Sequence, residues 1–398
     1  MDRHNLARTL VAAGLAAHAF FLPVSIAGTQ MALAVAAAGV LIAPPRPLRT
    51  PLDWPVLAFL AVAIGSDLIS PFGPPPLLYA TLWRPAIGFF VVTHGLRLLP
   101  REWPARLLLC AALGAVIASA VGLVQYRTGL DVVHLLGLRE QARLVEAPGV
   151  PGRYAAMGFF YSRLGFGHVL SVLLPLFGGA LAALAVPRRT GWVLAAACVL
   201  GLAAVAVTFD RGAYLGLLVA ALVIAVRGRK VVIGAVAALL VLAALHPAVR
   251  GRAASSFSSV KNADRVFIWS RALEIIADHP LHGIGFGNYQ RVCGLYYDRV
   301  DPAFPMRTWA HNLELSTLAE TGPLGLLAML WIWIAAAVAL WKRRGEPLAT
   351  GALAALACWF AVAQVHDLFI DNKVMYALWF ALGLALAPRE GSPPARAG

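Results

Sequence analysis

The sequence predicts an all-α polytopic membrane protein, with about twelve transmembrane helices and one large outward loop containing amphipathic helices. Three observations point there. Of 398 residues, 60% are hydrophobic and only 13% charged, where a soluble domain carries about 25% charged residues. The mean hydropathy is +0.75. Apolar runs of about 17 to 25 residues recur along the chain, the length a helix needs to cross a bilayer. The ten-residue alternation of a β-barrel is not seen.

The predicted span cores are 8–26, 29–43, 53–70, 77–95, 105–126, 163–186, 190–209, 212–226, 230–247, 322–341, 348–366 and 373–387. The first has basic residues and an apolar stretch like a signal peptide. It lacks a small-x-small cleavage site before the next run, so it is kept as the first helix. The chain then divides into residues 1–247, with the first nine spans and an outward loop at about 127–160, residues 248–321, the large loop expected to carry the active site, and residues 322–398, with the last three spans and a tail.

Charge sets the orientation. Arg3 and Arg8 precede the first span, and alternate loops carry Arg46 and Arg49, then Arg97, Arg101 and Arg106, then Arg188 and Arg189, then Arg227, Arg229 and Lys230, then Lys342, Arg343 and Arg344. Arg389 and Arg396 lie in the tail, while the short loop 71–76 has no charge. The positive-inside rule puts both termini in the cytoplasm and the two long loops outside. The net charge of +14 thus reads as topology rather than as a nucleic-acid surface. An outward loop does not see ATP, so its substrate must arrive already activated. Cys110, Cys198 and Cys358 sit in apolar runs and Cys293 lies alone in the long loop, a spacing that gives neither a disulfide framework nor a zinc site. The outward loops hold no Asp-x-Asp pair, and no metal or other cofactor is expected; Asp298 with Asp301, and Asp367 with Asp371, are the pairs that could contradict this.

In the first outward loop, Val132 to Val145 reads as an amphipathic interfacial helix. The aromatics of Gly158-Phe159-Phe160-Tyr161-Ser162-Arg163 read first as membrane anchors. Thr208-Phe209-Asp210-Arg211-Gly212 follows a span, and a tight turn there puts Asp210 and Arg211 at the outer surface, either as an ion pair or as functional groups.

In the large loop a helix is expected over 262–278, with Asn262 as N-cap and Pro280 beyond its end. Asp264, Arg271, Glu274 and Asp278 make its polar face, and Val266, Trp269, Leu273 and Ile276 its apolar stripe. Arg265 projects near Ile268, Trp269 and Ala272, at the edge of the buried side, and so needs an anionic partner, either a carboxylate or a ligand phosphate. Next comes His279-Pro280-Leu281-His282-Gly283-Ile284-Gly285-Phe286-Gly287-Asn288. Its alternate glycines read as a structural turn, since neither a preceding strand nor a Gly-Lys-Ser/Thr makes a nucleotide loop of it. His311-Asn312 starts the helix entering the tenth span. A histidine there is either a structural hydrogen bonder or a base near neutral pH.

These pieces, taken in order, resemble the O-antigen ligase family, within the larger group that includes O-antigen polymerases and bacterial protein O-oligosaccharyltransferases. The resemblance rests on Thr208-Phe209-Asp210-Arg211-Gly212-Ala213, on Arg265 with Trp269, on Asp278 through Asn288, and on Ala310-His311-Asn312 followed by Glu320-Thr321-Gly322-Pro323-Leu324-Gly325. It covers roughly 154–340. It implies a glycosyltransferase of the bacterial inner membrane that moves a polysaccharide from undecaprenyl diphosphate to lipid A–core oligosaccharide at the periplasmic face. The family's two functional arginines would fall on Arg211 and Arg265, and its histidine on His311. Asp210 departs from the small hydroxyl residue that often precedes the first arginine, and an acid there would compete for Arg211.

The chemistry suits those residues. A departing diphosphate gathers negative charge, which fixed guanidiniums stabilise bidentately. His311 would take the acceptor's proton as the hydroxyl attacks the opposite face of the sugar, giving inversion. Arg84, Arg153, Arg163, Trp269 and Asn312 are further candidates for binding the substrates. A polymerase would instead use a second lipid-linked glycan as acceptor, and a protein oligosaccharyltransferase a Ser or Thr. A lipid or polysaccharide transporter would show repeated sets of spans with matching broken helices, and none is visible.

Overall fold

The computed structural model describes residues 2–46, 49–75, 83–140, 144–182, 186–226, 251, 259–297, 309–369 and 371–388. Among them the secondary structure is helical, apart from one isolated bridge between Glu146 and Tyr154. In order the helices are α1 (Arg3–Phe21), α2 (Ile26–Ile42), α3 (Asp53–Ile69), α4 (Ala86–Gly95), α5 (Trp103–Thr128), α6 (Val132–Leu135), α7 (Arg163–Ala182), α8 (Arg188–Ala206), α9 (Arg211–Ala225), α10 (Ser259–Asp278), α11 (Tyr289–Val292), α12 (Leu313–Lys342), α13 (Pro347–Ala363) and α14 (Asn372–Leu386). By length and composition, α5, α7, α8 and α12 can cross a membrane. The apolar helices α2, α4, α9, α13 and α14 are shorter. A helix overlaps each predicted span core except 230–247, which lies outside the described residues, as do 77–82 of the fourth core.

Helix ends follow local chemistry. Ser25 caps α2 by accepting from the Gly28 amide, Asp131 caps α6, and Asn312 caps α12 by accepting from the Leu315 amide at 2.9 Å. Gly129, with φ +71°, closes α5. The centre of the bundle is α7, whose two faces are both buried against α13, α8, α14 and α9. Its crossing with α13 is made by glycine. A Cβ on Gly179 would stand 2.4 Å from the Gly351 Cα, so the backbones approach as closely as small residues allow. On α12, Leu324, Leu327, Trp331, Ile334 and Val338 are exposed at helical spacing, while Ala328, Met329, Ile332, Trp333 and Ala336 are buried. The exposed stripe is as apolar as the buried one, the pattern of a helix facing lipid.

Several expectations are corrected. The helix over 132–145 shrinks to α6, because the chain turns through Gly137 at φ +69°. The Arg139 guanidinium then plugs the loop inward, in a buried ion pair with Asp131 at 2.8 Å and donating to the Phe160 carbonyl. Phe160 is buried on Phe166 rather than anchored outside. The helix expected from Asn262 starts earlier, at Ser259, so Asn262 falls within it. Its buried face is also rotated: Ile268, Ala272 and Ile275 are buried, whereas Val266 and Leu273 are exposed. The reason is the packing of α10 on α12, beside Ile284 and Tyr289. The eleventh span ends at Ala363, and Gln364 to Phe369 lie outside the helices as a connection.

The glycine run is a latch on a broken helix. In α12, Gly322 has φ +67° and Pro323 follows. Proline has no N–H to give to Ala319, four residues back. The Ile284 amide donates to that carbonyl at 2.9 Å, and the Gly285 amide to that of Glu320 at 2.9 Å. The Ser66 hydroxyl, from α3, donates to the carbonyls of His282 and Glu320. The Glu320 carboxylate accepts from the Tyr289 amide. The latch thus ties α3, the loop and the first turns of α12 into one unit.

Candidate active site

Arg265 and His311 come from distant parts of the sequence, and the connection 364–366 is where they meet. Arg265, one turn before the buried Ile268, donates to the Val365 carbonyl. Asn312 donates to the Gln364 carbonyl at 3.3 Å. His311 meets the ring of His366 edge-on, with centroids 6.3 Å apart. Trp269, one turn along α10 from Arg265, donates its indole N–H to the Ala310 carbonyl at 3.1 Å, fixing the backbone just before His311. Three consecutive carbonyls or rings after α13 therefore hold the arginine helix and the histidine turn.

Arg211 opens α9. Its neighbour Asp210 is the N-cap and accepts from the Gly212 amide at 3.0 Å. Asp210 is not at the outer surface, as expected, but 2% exposed. The reason is a pair of imidazoles: His168 Nε2 lies 2.7 Å from Asp210 Oδ2, and His366 Nε2 lies 3.7 Å from Asp210 Oδ1. Burial alone would raise the Asp210 pKa, but these two rings outweigh it and hold the carboxyl below the usual range. Gly212 is needed here, since a Cβ on it would stand 2.9 Å from the His366 ring. Arg265 feels burial first and then the charge of Arg211, both of which push its pKa down, while Asp210 and Asp264 pull it up. The charge of Arg211 thus reaches Arg265, as does that of the buried Asp210.

Two backbone positions are strained. Phe209, just before Asp210-Arg211, has φ +55°, and His311 has φ +52°; they are the non-glycine residues with positive φ among those described. Such positions cluster where a side chain must be aimed.

The other predicted residues are spread around this group. Arg163 starts α7 and donates to the carbonyls of Thr208 and Phe209 at 2.7 and 2.9 Å, bracing the turn that carries Arg211. It also lines a cavity of about 220 Å³ with Val145, Met157 and Tyr161. Arg153 donates to the Arg127 carbonyl and lies over the Tyr126 ring. Arg84 precedes α4 instead of lying within it, and its charge acts on Tyr376 of α14. Asp371 caps α14 through the Lys373 amide, and burial pushes the Asp367 carboxyl up to about 7. Asp298 and Asp301 lie outside the described residues.

Sequence reasoning missed His168 and His366. The available signal was an ionisable residue inside or at the end of an apolar run, which is costly unless used. The nitrogen and oxygen atoms of His168, Asp210 and His366 lie within 4.8 Å of one another, a spacing open to a divalent cation. Arg211 and Arg265 beside them weigh against a dication, since one carboxylate would have to offset all three positive groups.

A model described as O-antigen ligase matches residues 196–330, a stretch that runs through Asp210, Arg211, Arg265 and His311. The chain is also 27% identical over 368 residues to an O-antigen ligase of Pseudomonas aeruginosa, covering 87% of this chain and 83% of that one. The chain is thus similar to the O-antigen ligases. Its long apolar helices agree with a membrane protein of that kind. The matched stretch holds both arginines and the histidine but ends before His366, which enters the group from α13.

Proposed function

We propose that this protein transfers a polysaccharide from undecaprenyl diphosphate to a sugar hydroxyl of lipid A–core oligosaccharide, at the periplasmic face of the inner membrane. The observation that carries this reading is the meeting of Arg265 and His311 on the connection 364–366, with Arg211 beside Arg265. Two guanidiniums whose charges reach each other are best used by an anion with two charged groups, such as a diphosphate. His311 accepts the proton of the acceptor hydroxyl. The oxygen attacks the anomeric carbon, and the carbon–oxygen bond to the diphosphate breaks with its electron pair leaving on phosphate. Attack opposite the leaving group inverts the anomeric centre. Arginines in the place of a metal make the reaction metal-independent.

The donor's lipid tail lies among membrane lipids, and both termini of the chain are cytoplasmic. Arg163, beside its cavity, and Arg153 line the approach for acidic or hydroxyl-rich sugars; Arg84, Trp269 and Asn312 support binding. The test is transfer by purified protein in lipid vesicles, given a lipid-linked glycan and one of three acceptors. Product with lipid A–core alone is expected. Product only with a second lipid-linked glycan makes the protein a polymerase, and product only with a protein acceptor makes it an oligosaccharyltransferase.

A further inference from the structure

The His168–Asp210–His366 group has no part in the reaction as described above, yet it is buried, made of titratable side chains and in ring contact with His311. A carboxylate that is 2% exposed, with two imidazoles around it, is costly to place in an apolar bundle unless the arrangement is used. Four helices contribute: His168 from α7, Asp210 as cap of α9, His366 after α13 and His311 before α12. His366 is the link: its ring meets His311, His168 and Asp210. The ring centroids of His168 and His366 are 4.7 Å apart, and each ring faces one oxygen of Asp210.

We propose that His366 is a positioning residue for His311, and that Asp210, braced by His168, holds His366 and supplies the negative charge that lets His311 accept a proton beside two guanidiniums. This deepens the transferase reading and rests on it. Arg211 and Arg265 suit a diphosphate, but their field opposes a positive imidazolium nearby. When the acceptor O–H bond breaks, its proton goes to His311 and stays there until product leaves. His366 and Asp210 exchange no atom; they orient the ring and offset the charge that forms on it, as a buried carboxylate does behind a catalytic histidine. The edge-on arrangement suits a charged ring against a neutral one. Burial, acting most strongly, keeps His366 below its ordinary pKa of 6.5 and therefore neutral near pH 7.

Among the described residues, the charged and titratable groups around His311 and His366 are His168 on α7, Asp210 and Arg211 at α9, Asp264 and Arg265 on α10, Glu314 on α12 and Asp367 on the connection. Among them Asp210 is the carboxylate in contact with His366. The residue is also easy to neutralise without unfolding. Asp210→Asn keeps an N-cap for the Gly212 amide, because asparagine caps as well as aspartate.

The test uses the full chain in lipid vesicles, with the pH dependence of kcat/KM and the titration of isotope-labelled His311 by NMR. In the wild type, kcat/KM rises as His311 loses its proton. In Asp210→Asn the missing negative charge makes that proton easier to lose, so the acidic limb moves down by about one pH unit. The maximum falls by about tenfold, because a less basic imidazole is a weaker general base. His366→Gln lowers kcat by about tenfold with KM within about twofold, since the base is misaligned while substrate binding is kept. A limb in Asp210→Asn that superimposes on the wild type overturns the proposal. So does a stoichiometric divalent metal that the wild type retains and His168→Ala loses. If the wild type transfers to none of the acceptors, the proposed function fails on its own; the His311 titration in Asp210→Asn still decides this inference. Should Asp210→Asn not fold, the His311 titration in His366→Gln decides it, and an unchanged curve there overturns it.

Discussion

The imidazole of His366 stands edge-on to that of His311, with ring centroids 6.3 Å apart and planes at 88°. One ring follows the end of α13, and the other sits at a left-handed residue just before α12. The His311 ring is therefore placed by two helix ends, with the Trp269 hydrogen bond to Ala310 fixing the residue before it. Support of this kind, on rigid elements and not on a free loop, is what a reaction requiring tight geometry needs.

The strain at His311 separates stability from activity. Its φ of +52° suits glycine and not a side chain. His311→Gly should hold or raise thermal stability, by up to about 1 kcal/mol, as relief of a strained residue predicts. Transfer should fall by at least about a hundredfold, the scale of a lost general base. A glycine variant that transfers normally removes His311 from the mechanism. One that melts much lower shows that the imidazole was holding the fold.

Arg265 does two things at once, since it donates to the Val365 carbonyl and lies beside Arg211. Lysine offers a charge but not a planar fork, so Arg265→Lys should transfer at least about tenfold more slowly. Binding is measured separately, with inorganic pyrophosphate as probe. It should raise the melting temperature of the wild type, less at high salt, and leave that of Arg265→Gln unchanged. Equal shifts in both proteins would place the diphosphate elsewhere.

How much of this the sequence discloses depends on whether the signal is local. Apolar runs mark the helices, because burial in lipid is decided residue by residue along the run. The edge position of Arg265 is also legible, since 265, 268 and 272 share a helix face whatever the helix packs against. Which flank of that helix is buried is not: Val266 and Leu273 look like core until α12 takes the other side. The Asp210 environment is hidden more deeply. His168 and His366 are nearly two hundred positions apart in sequence, and they meet because glycines let α7 and α13 cross closely. The sequence carries both histidines and both glycines, but not the crossing.

The acid side of the stability profile should carry the signature of His366. Burial, the largest influence, lowers its pKa from 6.5, against the pull of Asp210. A histidine with a folded pKa below its unfolded value binds protons more readily when unfolded. Its favourable contribution is complete above about pH 6.5 and is lost as the pH falls toward the folded value. Asp210 behaves differently. Its pKa is held below the ordinary 3.8 by the imidazoles, despite burial. Its contribution therefore persists down to about that pH and disappears only below it. Between pH 7 and pH 5 the melting temperature of the wild type should drop more than that of His366→Gln. Parallel curves would mean that His366 is solvated, or already charged at neutral pH.

The latch is the last point of test, because it links fold to site without touching substrate. Gly322 has φ +67°, and a Cβ there would lie 2.2 Å from the Leu281 carbonyl oxygen. The same segment supplies the Ile284 amide that replaces the missing proline donor at Ala319. Gly322→Ala must therefore pay for a left-handed backbone and also displace the loop, losing roughly 1–3 kcal/mol for the strain before the clash is counted. Pro323→Ala is the control. It restores an N–H that could compete for the Ala319 carbonyl, but adds neither strain nor bulk, so its effect on melting should be smaller than that of Gly322→Ala. Because Asn312, next to His311, caps α12, loosening the latch should also disturb His311. A thermal shift with kcat lowered and pyrophosphate binding intact is expected for Gly322→Ala. A variant as stable as the wild type would show that the helix break is not held by the glycine run.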